Sequence, residues 1–247
     1  MHLELGPRVI IQFSNGVYIT ESVCWAVIVA VAMIVVAHIA TRNMQRNPKG
    51  LQAVAELIVE TTYKFVKNTM GSHNVGFAPF IGTLFLFLLF CNALGLLGQR
   101  AASADMNFAF ALSIMVFFVI QGSSIRSQGI KGYLKHFAEP VPFMVPIKII
   151  EECVFPVSLG FRLFGNILAG FIIIHIFMYM MGGLSANIGL PIPLLQAVTP
   201  LPAMAFFDVF EPVLQAFVFS MLTMVFVAKG IIVHGHGNSN GNAKEAS

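Results

Sequence analysis

The stretch at residues 145–181, VPIKIIEECVFPVSLGFRLFGNILAGFIIIHIFMYMM, decides how the rest of the chain is read. Its only ionised residues are Lys148, Glu151 and Glu152 near the start, and Arg162 deep inside. A helix that crosses a bilayer needs about 20 mainly apolar residues, and this run is far longer. It therefore predicts a long, steeply tilted membrane helix with a kink near Pro156. An uninterrupted apolar run also excludes the alternating pattern of a membrane barrel, so the expected fold is all-α.

Working outward, the whole chain has the same character. Of its 247 residues, 57% are hydrophobic and 10% are Asp, Glu, Lys or Arg. Soluble domains carry about 25% charged residues. So few charges cannot coat a globule, which disfavours a soluble enzyme, a disordered tail and a nucleic-acid-binding domain. The formal net charge of +3 is too small to imply a polyanionic partner. Cys24, Cys91 and Cys153 are odd in number and far apart, so no disulfide framework is expected. The opening MHLELGPRV lacks a basic region followed by an apolar stretch and cleavage site, and no removable leader is expected.

Four more spans are expected near residues 22–41, 77–98, 106–125 and 194–233, the last interrupted by Pro200, Pro202 and Pro212. Residues 48–70 differ. They place Leu51, Val54, Ala55, Ile58, Thr62, Phe65 and Val66 roughly on one face, with Glu56, Glu60, Lys64 and Lys67 away from it. That pattern predicts an amphipathic helix lying in the membrane interface. SQGIKGYLKHFAE, at 127–139, reads as a shorter basic one. Residues 1–233 thus form one membrane domain, and 234–247 a disordered tail.

With five crossings, 11 of the 14 Lys and Arg residues fall on one side, shared with the C-terminus, against Arg8 and Arg100 on the other. The positive-inside rule then puts the N-terminus outside and the C-terminus in the cytoplasm. The fourteenth basic residue is Arg162. Arginine keeps its proton in any ordinary site, and at a helix centre it costs about 2.5–3.5 kcal/mol on insertion scales. Stability alone would select Leu. Two bland alternatives stand beside a functional one: Arg162 snorkels to an interface, or it forms a structural ion pair.

Ser158, Arg162, Gly165, Asn166 and Ala169 share one helical stripe. Small residues there let another helix approach, so the stripe reads as a contact face carrying a fixed positive charge. Asp208, Glu211 and Gln215 sit at i, i+3 and i+7 in the last span, on one face of an α-helix. Carboxylates in such surroundings suit proton uptake and release, and a strut that pairs with Arg162 is the plainer alternative. His175 lies about 220° round the helix from Arg162, either titrating in a second aqueous path or simply packed. His234 and His236 form an HGH near the end, with no third ligand in view.

PIKIIEECVFPVSLGFRLFGNILAG and LQAFVFSMLTMVFVAKG closely resemble subunit a of the F-type ATP synthase, bacterial type. NPKGLQ before the amphipathic helix and PFIGTLFLFLLFCNALGL in the second span fit the same pattern, which covers the chain from about Asn47 to Lys229. The resemblance implies a stator subunit beside a rotating ring of c subunits. Two offset half-channels lead protons to and from a ring carboxylate, coupling ion flow to rotation. Arg162 matches the family's essential arginine, Gln215 its neighbour on the last helix, and Asn166 and Asn92 further polar positions. The acidic residue often found nine positions after the arginine is Phe171 here; Asp208, Glu211 and His175 are expected to carry the outer proton path instead.

The implied partners are the c ring, the b subunits of the peripheral stalk, the F1 sector indirectly, and lipid, in a bacterial plasma membrane. No Gly-rich phosphate loop is present, so the chain is expected to be non-catalytic by itself, with no cofactor, metal or nucleic acid. A secondary transporter would need repeated or inverted halves, which the sequence does not show. A plain membrane anchor would leave Arg162 without a purpose.

Overall fold

A computed structural model describes residues 9–12, 18–42, 44–46, 48–97, 99, 101–138, 145–187 and 200–232. Strands β1 (Val9–Gln12) and β2 (Tyr18–Thr20) precede helices α1 (Glu21–Thr41), α2 (Leu51–Met70), α3 (Ala78–Ala93), α4 (Met106–Ala138) and α5 (Val145–Asn187). A short α6 (Pro200–Ala205) leads through a π-helical turn, Phe206–Phe210, into α7 (Glu211–Ile232). Single 3-10 turns at Ser72–Phe77 and Leu94–Leu97 flank α3, and a third lies at Ala102–Ala104.

Five helices among the described residues are long and apolar enough to cross a bilayer: Glu21–Thr41, Ser72–Leu96, Met106–Ser127, Val145–Ser185 and Glu211–Ile231. The fold is that of a helical, multi-pass membrane protein. The fourth holds 41 residues, about 60 Å of helix, against a hydrocarbon core about 30 Å thick, so it must lie strongly tilted. Helix α5 continues through Pro156. Helix α1 is apolar all round, with Val27, Ile28, Val31, Ile34, Val35, Val36 and Ile39 exposed, as suits a helix facing lipid.

Four points either differ from the sequence expectation or lie outside the described residues. First, β1 and β2 form a small antiparallel pair, with Val9 opposite Thr20 and Gln12 opposite Tyr18, ahead of the first span. Second, the basic segment follows the third span directly: α4 is two helices joined at Gly129, whose φ of 69° is left-handed and suits glycine, and the shorter expected helix runs from there to Ala138. Third, the last span is described from Pro200; its expected start at 194–199 lies outside the described residues, as do the tail at 234–247, His234 and His236.

The fourth difference concerns helical pitch. Asp208, Glu211 and Gln215 do not follow one α-helical register, because Phe206–Phe210 is π-helical. Pro212 supplies the reason: it has no N–H for the Asp208 carbonyl four residues back, and its ring crowds that carbonyl. A wider turn accommodates both effects.

Chain contacts divide the molecule into two compact units, and each of α1, α3, α4, α5 and α7 contributes to both. One comprises Met1–Ile39, Phe85–Ala109 and Gly160–Phe217. Its core is Val29, Cys91, Leu94 and Ala102, with Trp25, Ala26, Met33, Phe87 and Phe108 packed around them. The Leu94–Leu97 turn packs on the π-helical turn. The other unit comprises Ala40–Leu84, Phe110–Leu159 and Val218–Ser247. There Gly82 of α3 lets Thr62 of α2 come close; a Cβ at Gly82 would lie 3.0 Å from Thr62 Cγ2. On α2, Val66 and Met70 are buried and Glu56, Glu60, Lys64 and Lys67 are exposed, as are Leu51, Val54 and Ile58 of the expected apolar face. In the same unit Phe155 of α5 packs on Phe226 of α7, and Ser124 Oγ of α4 donates to the Gly230 carbonyl of α7 at 3.4 Å.

Candidate intramembrane polar site

Arg162 lies in the middle part of α5 with its side chain exposed. Among the described side chains, no carboxylate pairs with it. Its flanking Leu163 is fully buried and Phe161 is exposed, so the helix is anchored on one side and open on the arginine's. The stripe remains lean: Gly165 and Asn166 are half-buried, and Ser158 and Ala169 are exposed.

One turn on from Arg162, Asn166 Nδ2 donates to Gln215 Oε1 of α7 at 2.8 Å. Gln215 is buried, with 1% of its surface exposed, and its Nε2 has no partner among the described atoms. A buried donor left unmatched costs about 1–3 kcal/mol, so folding alone does not favour a glutamine here. The Asn166–Gln215 bond holds that amide in place beside the arginine's helix.

Gly170, two turns beyond Arg162, sets the depth of the second approach. A Cβ at this position would lie 2.9 Å from Glu211 Oε2 and 3.0 Å from Phe207 Cδ1. Glycine thus admits a carboxylate against the α5 backbone, and nothing in the sequence pattern alone marks it. Glu211 itself is half-buried at the start of α7. Asp208 lies in the π-helical turn, and its side chain is outside the described residues.

His175 is half-buried, and its Nδ1–H donates to the Phe171 carbonyl at 2.8 Å, with the two rings 4.0 Å apart. A carbonyl oxygen can only accept, so that bond requires the proton on Nδ1. Phe171, where an acid stands in the resembled pattern, is exposed.

Asn92 belongs to a second polar group. It is 2% exposed, and its Oδ1 accepts a hydrogen bond from Ser103 Oγ, which is fully buried. Asp105, 4% exposed, takes the Asn107 N–H on Oδ1 at 3.0 Å and so caps α4. Asn92 Nδ2 and Asp105 Oδ2 both lack partners among the described atoms. Sequence reasoning singled out Asn92 and passed over Ser103 and Asp105, because they fall in a polar connection between spans. Buried hydroxyl, amide and carboxylate groups with spare hydrogen-bonding capacity are where a membrane protein holds water.

Five apolar spans, one of them with an exposed mid-span arginine and a buried glutamine on a neighbouring helix, define a multi-pass membrane protein with polar groups inside its spans. Comparison with known proteins agrees. The family model described as ATP synthase A chain matches residues 23–228. Similar curated proteins include ATP synthase subunit a of Moorella thermoacetica, 32% identical over 89% of this chain and 93% of that one. Another is ATP synthase subunit a of Campylobacter jejuni subsp. doylei, 35% identical over 85% of this chain and 89% of that one. That of Legionella pneumophila (strain Paris) is 30% identical over 89% and 90%. The chain belongs to the ATP synthase subunit a family and is a membrane-sector subunit that works in a complex with others.

Proposed function

We propose that this chain is the stator of a proton-driven rotary ATP synthase, forming two half-channels that carry protons to and from the carboxylates of a c-subunit ring. The observation that carries the reading is Arg162, exposed in mid-span and without a carboxylate partner among the described side chains. A cation kept in a membrane at that cost needs an anion from elsewhere. An ionised ring carboxylate supplies it. The arginine makes passage of the unprotonated carboxylate tolerable, and its charge repels a proton leaking directly between the half-channels. Lysine would do this less securely, since a buried ammonium can lose its proton.

Gln215 and Asn166 support the contact face beside the arginine. Asn92, Asp208, Glu211 and His175 are assigned to the outer path, and Ser103 joins them through its bond to Asn92. The excess of Lys and Arg on the C-terminal side argues for an outward N-terminus and a cytoplasmic C-terminus in a bacterial plasma membrane. Helix α2 lies in the cytoplasmic interface, and the b subunits of the peripheral stalk hold the chain against rotation. ATP chemistry belongs to the F1 sector, and this chain is non-catalytic.

The test is ATP-driven proton pumping by the whole complex in inverted membrane vesicles. Arg162→Gln abolishes pumping while the subunit still assembles. Pumping at the unaltered rate would refute the proposal. For the outer path, the double change Asp208→Asn with Glu211→Gln must also lower pumping.

A further inference from the structure

The apolar face of α2 is covered along only part of its length. In the C-terminal half Val66 and Met70 are buried, and Thr62 lies against Gly82 of α3. Toward the N-terminus Leu51, Val54 and Ile58 continue the stripe at i, i+3 and i+7. All three are exposed, Leu51 by 60% against 0% for Val66. The connector from α1, residues 42–50, is fastened to this bare end. The Gln45 N–H donates to Gln52 Oε1 at 3.0 Å, and Gln52 Nε2 donates to the Gln45 carbonyl at 2.9 Å. Met44, beside the clamp, is also exposed.

Charge is unevenly spread about this corner. Arg42, Arg46 and Lys49 are exposed, and the chain has no Asp or Glu from residue 22 to residue 55. On α2, Glu56 accepts from Gln52 Nε2 at 2.8 Å, and Glu60 is paired with Lys64 at 2.6 Å. Residues 42–70 carry five Lys and Arg against two Glu, an excess of three that equals the formal net charge of the whole chain. Helix α1 fixes the depth. Its 21 residues make about 30 Å of helix, the thickness of the hydrocarbon core, so the residues straight after Thr41 stand among headgroups. Orientation during insertion needs basic residues there but no fixed shape. The Gln45–Gln52 clamp and the bare stripe give this corner one.

We infer that the α1–α2 corner is a docking surface for anionic phospholipid. Leu51, Val54 and Ile58 rest in the acyl boundary, and Arg42, Arg46 and Lys49 meet the headgroup phosphates. The planar guanidinium fork suits this task, since it can hold two phosphate oxygens at once. An apolar layer edged with negative charge at the depth where α1 ends is what a leaflet of anionic lipid offers. Lipid held there keeps the free end of α2 on the leaflet while Thr62 keeps the other end on α3. The inference depends on α1 crossing the bilayer and is independent of the half-channel reading.

The experiment places the intact complex in vesicles of phosphatidylcholine and phosphatidylglycerol in equal parts. A trace of one lipid or the other carries the same photoreactive group at the top of an acyl chain, and labelled positions are mapped by mass spectrometry. Each Lys or Arg at an anionic surface strengthens attraction roughly fivefold, so residues 42–58 take at least about tenfold more label from phosphatidylglycerol than from phosphatidylcholine. Arg42→Gln, Arg46→Gln and Lys49→Gln together bring the two lipids close to parity, whereas Arg42→Lys with Arg46→Lys keeps most of the preference. No preference in the unaltered chain, or an undiminished one in the triple Gln variant, overturns the inference. If that variant fails to assemble, salt decides with the unaltered complex. Sodium chloride at about 1 M cuts the screening length to about 3 Å and removes most of the preference; a preference that survives it overturns the inference. Cross-linking of 42–58 to another subunit, with no label from either lipid, shows a protein covering the corner and overturns it too.

Discussion

Asn166 and Gln215 are joined by a 2.8 Å hydrogen bond between α5 and α7, one helical turn from Arg162. Neither amide has an obvious role in an apolar helix by itself; together they tie the two helices that carry the site. A neutral bond of this kind contributes about 0.5–1.5 kcal/mol.

The two positions should therefore act as one. Asn166→Leu and Gln215→Leu each lower ATP-driven pumping, and the double variant is no worse than the poorer single one. Additive losses would show that the bond is not what matters.

Gly170→Ala should impair pumping by forcing a methyl group against Glu211 Oε2 and the Phe207 ring. Overpacking of this sort costs about 1–3 kcal/mol. Adding Glu211→Asp, one methylene shorter, relieves the carboxylate contact and recovers part of the rate. Initial pumping rates normalised to subunit content give the comparison.

Asp105 is expected to be structural as well as polar. Asp105→Ala removes the cap on the Asn107 N–H and costs about 0.5–2 kcal/mol, read as a lower unfolding temperature of the detergent-solubilised complex. Asp105→Asn keeps an acceptor for that N–H and stays closer to the unaltered protein.

On α2, the Lys64 ammonium lies 2.6 Å from Glu60 Oε1 and holds the Glu60 carboxyl below its ordinary value of 4.5. A depressed carboxylate contributes above its unfolded pKa and loses that contribution as pH falls through the folded one. The pair is fully solvated, so Lys64→Gln should leave stability at neutral pH unchanged. The carbon-13 titration of Glu60 should instead move up toward the ordinary range.

Most of this architecture is legible in the sequence because membrane physics is severe. Apolar runs bounded by Glu21, Arg126 and Lys229 mark their own spans, and Arg162 stands out because nothing else charged lies between it and Asp208. The Asn166–Gln215 bond was only implied, since no pattern within one helix says which residues of another will meet it. Ser103, Asp105 and Gly170 were invisible for a related reason: their importance lies in burial and in what approaches them. Glu151 and Glu152 look alike in sequence. Their partners, Lys229 and Gln121, lie 78 and 31 residues away and make them different. The short β1–β2 pair lay in a segment too brief for any periodicity to declare itself.

The π-helical turn at Phe206–Phe210 is, in effect, one residue too many for the length of helix it occupies. Such a wrinkle behaves like a dislocation in a crystal row: everything before it is out of phase with everything after it. Deleting a single residue such as Val209 would let the helix close to ordinary pitch. The helix on one side of the deletion would then turn by about 100° relative to the other. Asp208 and Gln215 would no longer hold their present angular relation. The phase of one helix, as much as the identity of any side chain, thus sets which groups of the last span share a face.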